Sequence, residues 1–185
     1  MLEKFLQFIK RERLFIPADK ILLPVSGGVD STVMCELFNQ SGFKFGIVHC
    51  NFKLRGKESD EDEKFVEALA EKLKVQFHSK SFPSKQYAEE RKISVQMAAR
   101  ELRYHWFQDL LEKEKLDKVA TAHHLNDSLE TVLLHVAHGT GLDGLEGIPV
   151  VHGKIIRPLL FATRSEIENY AAEMEIGWRE DASNA

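Results

Sequence analysis

The stretch at residues 20–31, KILLPVSGGVDS, decides the fold of this chain. Residues 20–25 form a short apolar run typical of a buried strand, and residues 29–39 have the pattern of a helix. Between them, Gly27 and Gly28 permit a tight turn and have no Cβ that would obstruct a ligand. The stretch therefore predicts a strand, a glycine loop and a helix in direct succession.

The loop at residues 26–31 has the composition of a phosphate site. Backbone N–H groups in the first turn of the following helix attract anions, and the Ser26 and Ser31 hydroxyls add donors. The loop lacks the Gly-Lys-Ser/Thr of a Walker sequence, and Asp30 lies where a magnesium ion bridging phosphates would be held. The alternative is a plain strand-to-helix turn that Asp30 caps.

The same alternation continues along the chain. An amphipathic helix opens it, and four more strands are predicted at 43–49, 75–82, 118–122 and 150–158. Further helices are predicted at 59–73, 84–91, 94–113, 125–138 and 163–174, with a glycine-rich loop at 139–147. This order predicts an α/β fold, a three-layer Rossmann-like parallel sheet with helices on both faces. Ligands of such sheets bind at the carboxyl ends of the strands.

A second polar stretch is TAHHLNDSLET at residues 121–131. It leaves the fourth strand and enters a helix on which Asp127 and Glu130 share one face. The opposite face carries an apolar stripe through Leu129 and Leu133, which we expect to face the core. Either acid alone is typical of a first helical turn, where the dipole favours it. Together with His123 at a strand end, they favour a cluster that holds a metal and a base.

Basic residues occur in two further segments. Arg103, three residues after Arg100 on a helix, is either a solvated surface residue or a guanidinium aimed at phosphates. Lys53, Arg55 and Lys57 form a small basic loop after the second strand. The acid run that follows this loop is most simply the solvated start of a helix.

Composition limits the classes of function. The chain has 185 residues, 43% of them hydrophobic, which suits one globular domain. With 25 basic and 29 acidic residues its net charge is −4, which disfavours tight non-specific binding to nucleic acid but leaves room for local basic patches. No apolar run spans a bilayer, no signal peptide opens the chain, and two cysteines without a CxxC fit a reducing compartment. We therefore expect a soluble cytoplasmic protein without a membrane partner.

The motifs resemble those of a known family. SGGVDS is similar to the pyrophosphate loop of the PP-loop ATP pyrophosphatases, which split ATP into AMP and pyrophosphate. With HCNFKLRG, AARELRY, TAHHLNDSLETVLL, GTGLDGLEGIP, IIRPLL and WREDASN, nearly the whole chain resembles the tRNA(Ile)-lysidine synthetases. It departs from them at Phe52, where many members carry histidine.

The resemblance implies a reaction and a set of partners. Enzymes of this family use ATP and Mg²⁺ to adenylate the wobble cytidine of tRNA(Ile) with a CAU anticodon, and free L-lysine then displaces AMP. The resemblance implies that residues 1–185 are the ATP-binding catalytic domain, an N-terminal part of a longer enzyme in which a further region grips tRNA. The oligomeric state stays open, with a homodimer possible. Two alternative functions also stay open: another PP-loop enzyme such as a tRNA thiolase, and a non-catalytic ATP-binding module.

The resemblance also assigns roles to residues. Asp30 and Asp127 would hold Mg²⁺, and Glu130 would orient the lysine amine or accept its proton. His123 and Arg103 would face the phosphates and the adenylated base. The loop that would cradle ATP consists of Ser26, Gly27, Gly28, Val29, Asp30 and Ser31.

Overall fold

A computed structural model describes residues 1–54, 56–139 and 146–179 of the chain. The helices are α1 (Leu2–Glu12), α2 (Val29–Gln40), α3 (Lys57–Leu73), α4 (Ser84–Arg91), α5 (Val95–Lys113), α6 (Leu125–Ala137) and α7 (Arg164–Glu173). The strands are β1 (Lys20–Pro24), β2 (Lys44–Asn51), β3 (Phe77–Ser81), β4 (Lys118–Ala120), β5 (Val151–His152) and β6 (Ile155–Ile156). Arg55 and most of the predicted loop at 139–147 lie outside the described residues.

The strands form one sheet in the order β3-β2-β1-β4-β6-β5. All neighbouring strands pair in parallel except β5, which runs antiparallel to β6 at one edge. The order reverses between β1 and β4, because β2 and β3 lie on one side of β1 and the later strands lie on the other. This confirms the predicted α/β class and places a ligand-binding crevice between β1 and β4.

Side chains of alternate strand residues build a core on each face of the sheet. Ile21 and Leu23 of β1 pack with α1, α2 and α7, and Leu22 packs on the other face with α5. Successive strand residues point to opposite faces, so a strand buried on both sides reads as a continuous apolar run. The run in β1 thus explains why helices cover both faces, as the sequence predicts.

Two local predictions are wrong. The predicted strand at 150–158 is a hairpin of β5 and β6, because a turn with Gly153 at φ +59° divides it. The apolar stripe of α6 does not face the core: Leu129 and Leu133 are 56% and 59% exposed, and α6 has no buried residue. The capping box that opens α7 is confirmed, since Thr163 and Glu166 bond each other's backbone N–H.

None of the helices in the described part of the chain is both long and apolar enough to cross a membrane.

Phe38 of α2 organises the larger core. Its ring lies 5.5–6.0 Å from the rings of Phe5, Phe15, Phe43 and Phe45, and it is fully buried. Replacing it leaves a cavity among rings that cannot all collapse into the gap. We expect Phe38→Ala to lower the free energy of unfolding by about 3–5 kcal/mol, measured by urea denaturation. Leu133→Ala is the control, expected to change it by less than about 0.5 kcal/mol because the side chain is largely exposed. Equal losses for the two variants would contradict this account of the core.

Candidate active site

Two loops meet where the strand order reverses. Residues 25–28 join β1 to α2, and residues 121–124 join β4 to α6. Because β1 and β4 are parallel neighbours, both loops leave the same edge of the sheet. Three of the four chemical motifs found in the sequence follow β1, β2 and β4, so the topology brings them to one edge.

A cavity of about 290 Å³ opens at this edge. From the loop after β1 it is lined by Ser26, Asp30 and Ser31, and from the segment after β4 by His123 and Asp127. The α5 side chains Arg100, Arg103, Tyr104 and Phe107 form another wall. The structure therefore brings together most of the residues that the sequence singled out.

Asp30 is an ion-paired residue of this cavity and does not cap α2. The N-cap is Gly28, and Asp30 Oδ2 accepts a hydrogen bond from Arg164 Nη1 at 2.8 Å. Its other oxygen, Oδ1, is buried, has no hydrogen-bond partner and lies 3.8 Å from His124 Nε2. Burial raises the pKa of the Asp30 carboxyl, while the charges of Arg164 and His124 oppose the rise. One carboxylate oxygen is therefore left to face a further cation.

Asp127 serves the helix and the cavity together. Its Oδ2 atom accepts the backbone N–H of His124 at 2.8 Å, as an acid in the first turn of α6 does when it closes a capping box. The buried His124 ring lies between the two acids, with Nδ1 3.5 Å from Asp127 Oδ2. The interpretation of Asp127 as a first-turn acid is confirmed, and because the residue also lines the cavity, its predicted role in the site stays compatible with the structure.

Arg164 is a charged residue near the cavity that the sequence motifs did not reveal. It begins α7, and besides Asp30 it contacts Glu168 Oε1 through Nε at 2.7 Å. Its backbone N–H donates to Asn126 Oδ1 at 3.0 Å, which joins the first turns of α6 and α7. The capping box at Thr163 predicts where α7 begins, but no local signal shows that this helix start meets Asp30, 134 residues away.

Arg103 lines the same cavity as Ser26 and Ser31 of the glycine loop. Its guanidinium carbon is 5.3 Å from the centre of the Phe52 ring, a cation–π arrangement. Arg100 lies 4.9 Å over the ring of Tyr104. Both arginines line the cavity, and a guanidinium of Arg103 aimed at phosphates stays a prediction.

His123 is half-buried in the cavity and is held by Thr121. The Thr121 Oγ1 and His123 Nδ1 atoms are 2.8 Å apart. Burial lowers the pKa of His123, and the charge of Arg157 lowers it further. The imidazole is therefore mainly neutral at pH 7 and offers its other ring nitrogen to a ligand.

A family model for the PP-loop domain matches residues 1–185. The chain belongs to the PP-loop domain family. It is 42% identical over 182 residues to the tRNA(Ile)-lysidine synthase of Bacteroides thetaiotaomicron, covering 98% of this chain and 43% of that protein. It is 46% identical over 188 residues to the tRNA(Ile)-lysidine synthase of Thermosipho africanus, covering 100% of this chain and 44% of that protein. The chain thus spans less than half the length of these two relatives.

A solved PP-loop structure shows the same fold. The U34-tRNA thiolase NcsA from Methanococcus maripaludis, solved with its [4Fe-4S] cluster, superimposes with a TM-score of 0.75 at 19% identity. The match covers 97% of this chain and 64% of that one. These comparisons confirm the resemblance read from the motifs, and the thiolase supports the fold alone.

The PP loop has one glycine that its backbone requires. Gly27 has φ +101°, a conformation that side chains with a Cβ rarely adopt, and a Cβ there would meet the Phe65 ring at 3.4 Å. Its carbonyl accepts the N–H of Arg179 at 2.9 Å, while Arg179 Nε bonds Asp62 of α3. The chain after α7 therefore braces the PP loop against α3.

Four of the predicted site residues do not line the cavity with their side chains. Val29 is buried in the core, and Gly27 and Gly28 have only backbone to offer. Glu130 is exposed on α6, one turn beyond Asp127. A ligand reaches these residues only through backbone atoms or by extending beyond the cavity.

The donor set of the PP loop fits a magnesium ion. The described residues contain no group of three or more His, Cys, Asp or Glu placed to hold a metal by themselves. Mg²⁺ does not need one, because it is usually bound by one or two carboxylates with water and substrate phosphates. The unpartnered, buried Oδ1 atom of Asp30 would supply one such ligand, and Asp127 lines the same cavity.

Cys50 lines the same cavity, and its thiol is a weak nucleophile. Burial raises the pKa of its thiol to about 12, against the opposing charge of Arg103. At pH 8 only about one thiol in ten thousand is then ionised, and the thiolate is the nucleophile. We expect iodoacetamide to alkylate Cys50 about a thousandfold more slowly in the folded chain than in urea, measured by mass spectrometry of the peptide. Equal rates in the two states would contradict the buried, protonated thiol.

Proposed function

We propose that this chain is the ATP-binding catalytic domain of a tRNA(Ile)-lysidine synthase. The observation that carries the proposal is the single cavity in which the PP loop faces Asp127, His123 and Arg103. The relatives named above carry that name, and the similarity covers essentially the whole of this chain. The substrates are ATP, free L-lysine and tRNA(Ile) with a CAU anticodon, and the enzyme acts in the cytoplasm, as a homodimer or as a single copy.

The proposed reaction has two steps. The C2 oxygen of the wobble cytidine attacks the α-phosphate of ATP, and pyrophosphate leaves. The ε-amine of lysine then attacks C2, AMP leaves with the oxygen, and the amine loses a proton. Cytidine oxygen is a poor leaving group until AMP is attached, and an ammonium cannot attack before it loses a proton. The site must therefore hold phosphates, a cation and a proton acceptor together.

The PP loop and its neighbours have the groups for the first step. Ser26 and Ser31 lie with their hydroxyl oxygens 3.4 Å apart at the start of α2, where helix amides favour phosphate. Asp30 and Asp127 would hold Mg²⁺, which neutralises charge on the phosphates when bound. Arg103 adds a guanidinium to the lining of the same cavity, where it would stabilise charge on the leaving group.

Glu130 would act in the second step. It is exposed next to the cavity, on the same face of α6 as Asp127, so an extended amine substrate lying along that face would reach it. We assign it the orientation of the lysine amine or the acceptance of its proton. The neutral imidazole of His123 would hydrogen-bond the phosphate or the adenylated base.

Two other functions would use the same PP loop. A tRNA thiolase with an iron–sulfur cluster needs cysteine ligands, whereas this chain has only Cys35 and Cys50, both as buried or half-buried thiols. In a non-catalytic ATP-binding module, Asp127, His123 and Arg103 would have no catalytic role. Release of pyrophosphate separates the three, with lysine and tRNA added singly and together. The synthase is supported if pyrophosphate is released only when tRNA is present and if the yield of AMP rises when lysine is added. Without lysine the synthase stops after one pyrophosphate per tRNA, so many turnovers of release without lysine indicate another adenylating enzyme, and no release indicates the module.

Asp127 provides the sharpest single substitution. Asp127→Asn removes the charge that would hold Mg²⁺ and keeps an oxygen that can accept the His124 N–H. We expect AMP formation to fall by at least a hundredfold while circular dichroism and the unfolding midpoint stay close to those of the parent chain.

The control is Asp109→Asn, an exposed acid on α5, which we expect to leave AMP formation unchanged. Full turnover by Asp127→Asn would refute the role assigned to Asp127.

A further inference from the structure

A second cavity, of about 490 Å³, adjoins the active-site cavity. We call it the Phe52 groove, and its lining includes Phe52, Lys53, Phe82, Pro83, Ser84 and Lys85. Phe52 also lines the active-site cavity, so one ring forms the wall between the two. A polymer with one unit in the active-site cavity would place a neighbouring unit beside this groove.

The rings of the Phe52 groove are surrounded by positive charge. Phe52 and Phe82 are stacked with centroids 5.5 Å apart and planes 27° apart. Arg103 lies 5.3 Å over Phe52, and the ammonium of Lys80 lies 5.3 Å over Phe82. Proteins bind single-stranded nucleic acid with aromatic rings that stack on bases and with cations that follow the phosphates.

The local charge differs from that of the whole chain. The net charge is −4, yet Lys53 and Lys85 lie in the lining of the groove with Lys80 and Arg103 beside its rings. Lys53 pairs with Asp60, and both side chains are about half exposed, which leaves the pair open to exchange with a phosphate. This is the local basic patch that an acidic chain needs to bind an anionic polymer.

The floor of the groove is rigid. Phe82 N donates to Asn51 O at 2.8 Å, and Ser84 Oγ donates to Phe52 O at 3.3 Å. Asn51 is buried, donates to Glu63 Oε2 at 2.6 Å and accepts the N–H of Lys53 at 3.0 Å. Binding would therefore require little ordering of the backbone, which reduces its entropic cost.

We propose that the Phe52 groove binds the nucleotide next to the reacting base in a single-stranded RNA loop. The base of that nucleotide stacks on Phe52, and its phosphates meet Lys53 and Lys85. This inference rests on the proposed function, because it takes RNA as the substrate of the adjoining cavity. An enzyme that reacts with one base must hold the strand unstacked on either side of it, and the groove supplies that hold.

The lysines are tested with an RNA hairpin that carries CAU in its loop, labelled with fluorescein and followed by anisotropy. We expect Lys53→Gln/Lys85→Gln to weaken binding about tenfold at low salt. The slope of log affinity against log salt should fall by about 1.4, since each single-strand phosphate contact contributes about 0.7. The matched control is Lys10→Gln/Lys72→Gln, which removes the same charge from exposed residues at the ends of α1 and α3, with no change in slope expected.

The stacking is tested with Phe52 variants and an altered RNA. Phe52→Leu should weaken binding on the order of tenfold, whereas Phe52→Tyr keeps a ring and should bind like the parent chain. An abasic nucleotide on one side of the target cytidine should weaken the parent chain to a similar degree and cause no further loss in Phe52→Leu. If Phe52→Leu acts only by displacing Arg103, it loses the same affinity for the intact and the abasic RNA. That result would overturn the stacking.

The remaining outcomes are equally decisive. The proposal fails if the lysine pair behaves like its control, as it would if the groove bound a protein, or if the parent chain does not bind the hairpin. Weaker RNA binding without lysine-dependent AMP formation would support the groove and refute the synthase. If every groove variant forms AMP normally and binds RNA like the parent chain, the synthase is supported and the groove is refuted.

Discussion

The reversal of strand order between β1 and β4 is the constraint on which the rest of this structure depends. Because these two parallel strands are neighbours, the PP loop after β1 and residues 121–124 after β4 open onto the same crevice. The helices that follow, α2 and α6, begin there and direct their N-termini toward it. A site for phosphates therefore arises from topology before any individual side chain is considered.

Charge pairing then prepares this crevice for a cation. Asp30 is held by Arg164 through one oxygen and leaves the other without a partner, while Asp127 uses one oxygen to begin α6. A buried carboxylate oxygen without a partner is costly in a folded protein, and a bound cation would relieve that cost. The stability of this crevice and the chemistry proposed for it thus depend on the same two acids.

Phe52 connects this crevice with the surface beside it. Phe52 lines both cavities, so the proposed sites for the reacting base and for its neighbour share a wall. The net charge of the chain is a poor guide to its partner, because acidic and basic residues are distributed unevenly. Seven of the 29 acidic residues lie on α3, whereas Lys53, Lys80, Lys85 and Arg103 lie in the lining of the Phe52 groove or beside its rings.

The sequence by itself determined the α/β class, the order of most elements, and the PP loop as the centre of the site, because these follow from local patterns. Glycine spacing, apolar runs and capping boxes act over a few residues, and each was readable at Gly27, in β1 and at Thr163. The exposure of the α6 stripe was not readable, because the helical period shows which residues share a face and not what covers it. Nor was the pairing of Arg164 with Asp30, across 134 positions, or the Phe52 groove between β2 and α4. Only tertiary structure decided these, because it sets which distant segments share an edge of the sheet.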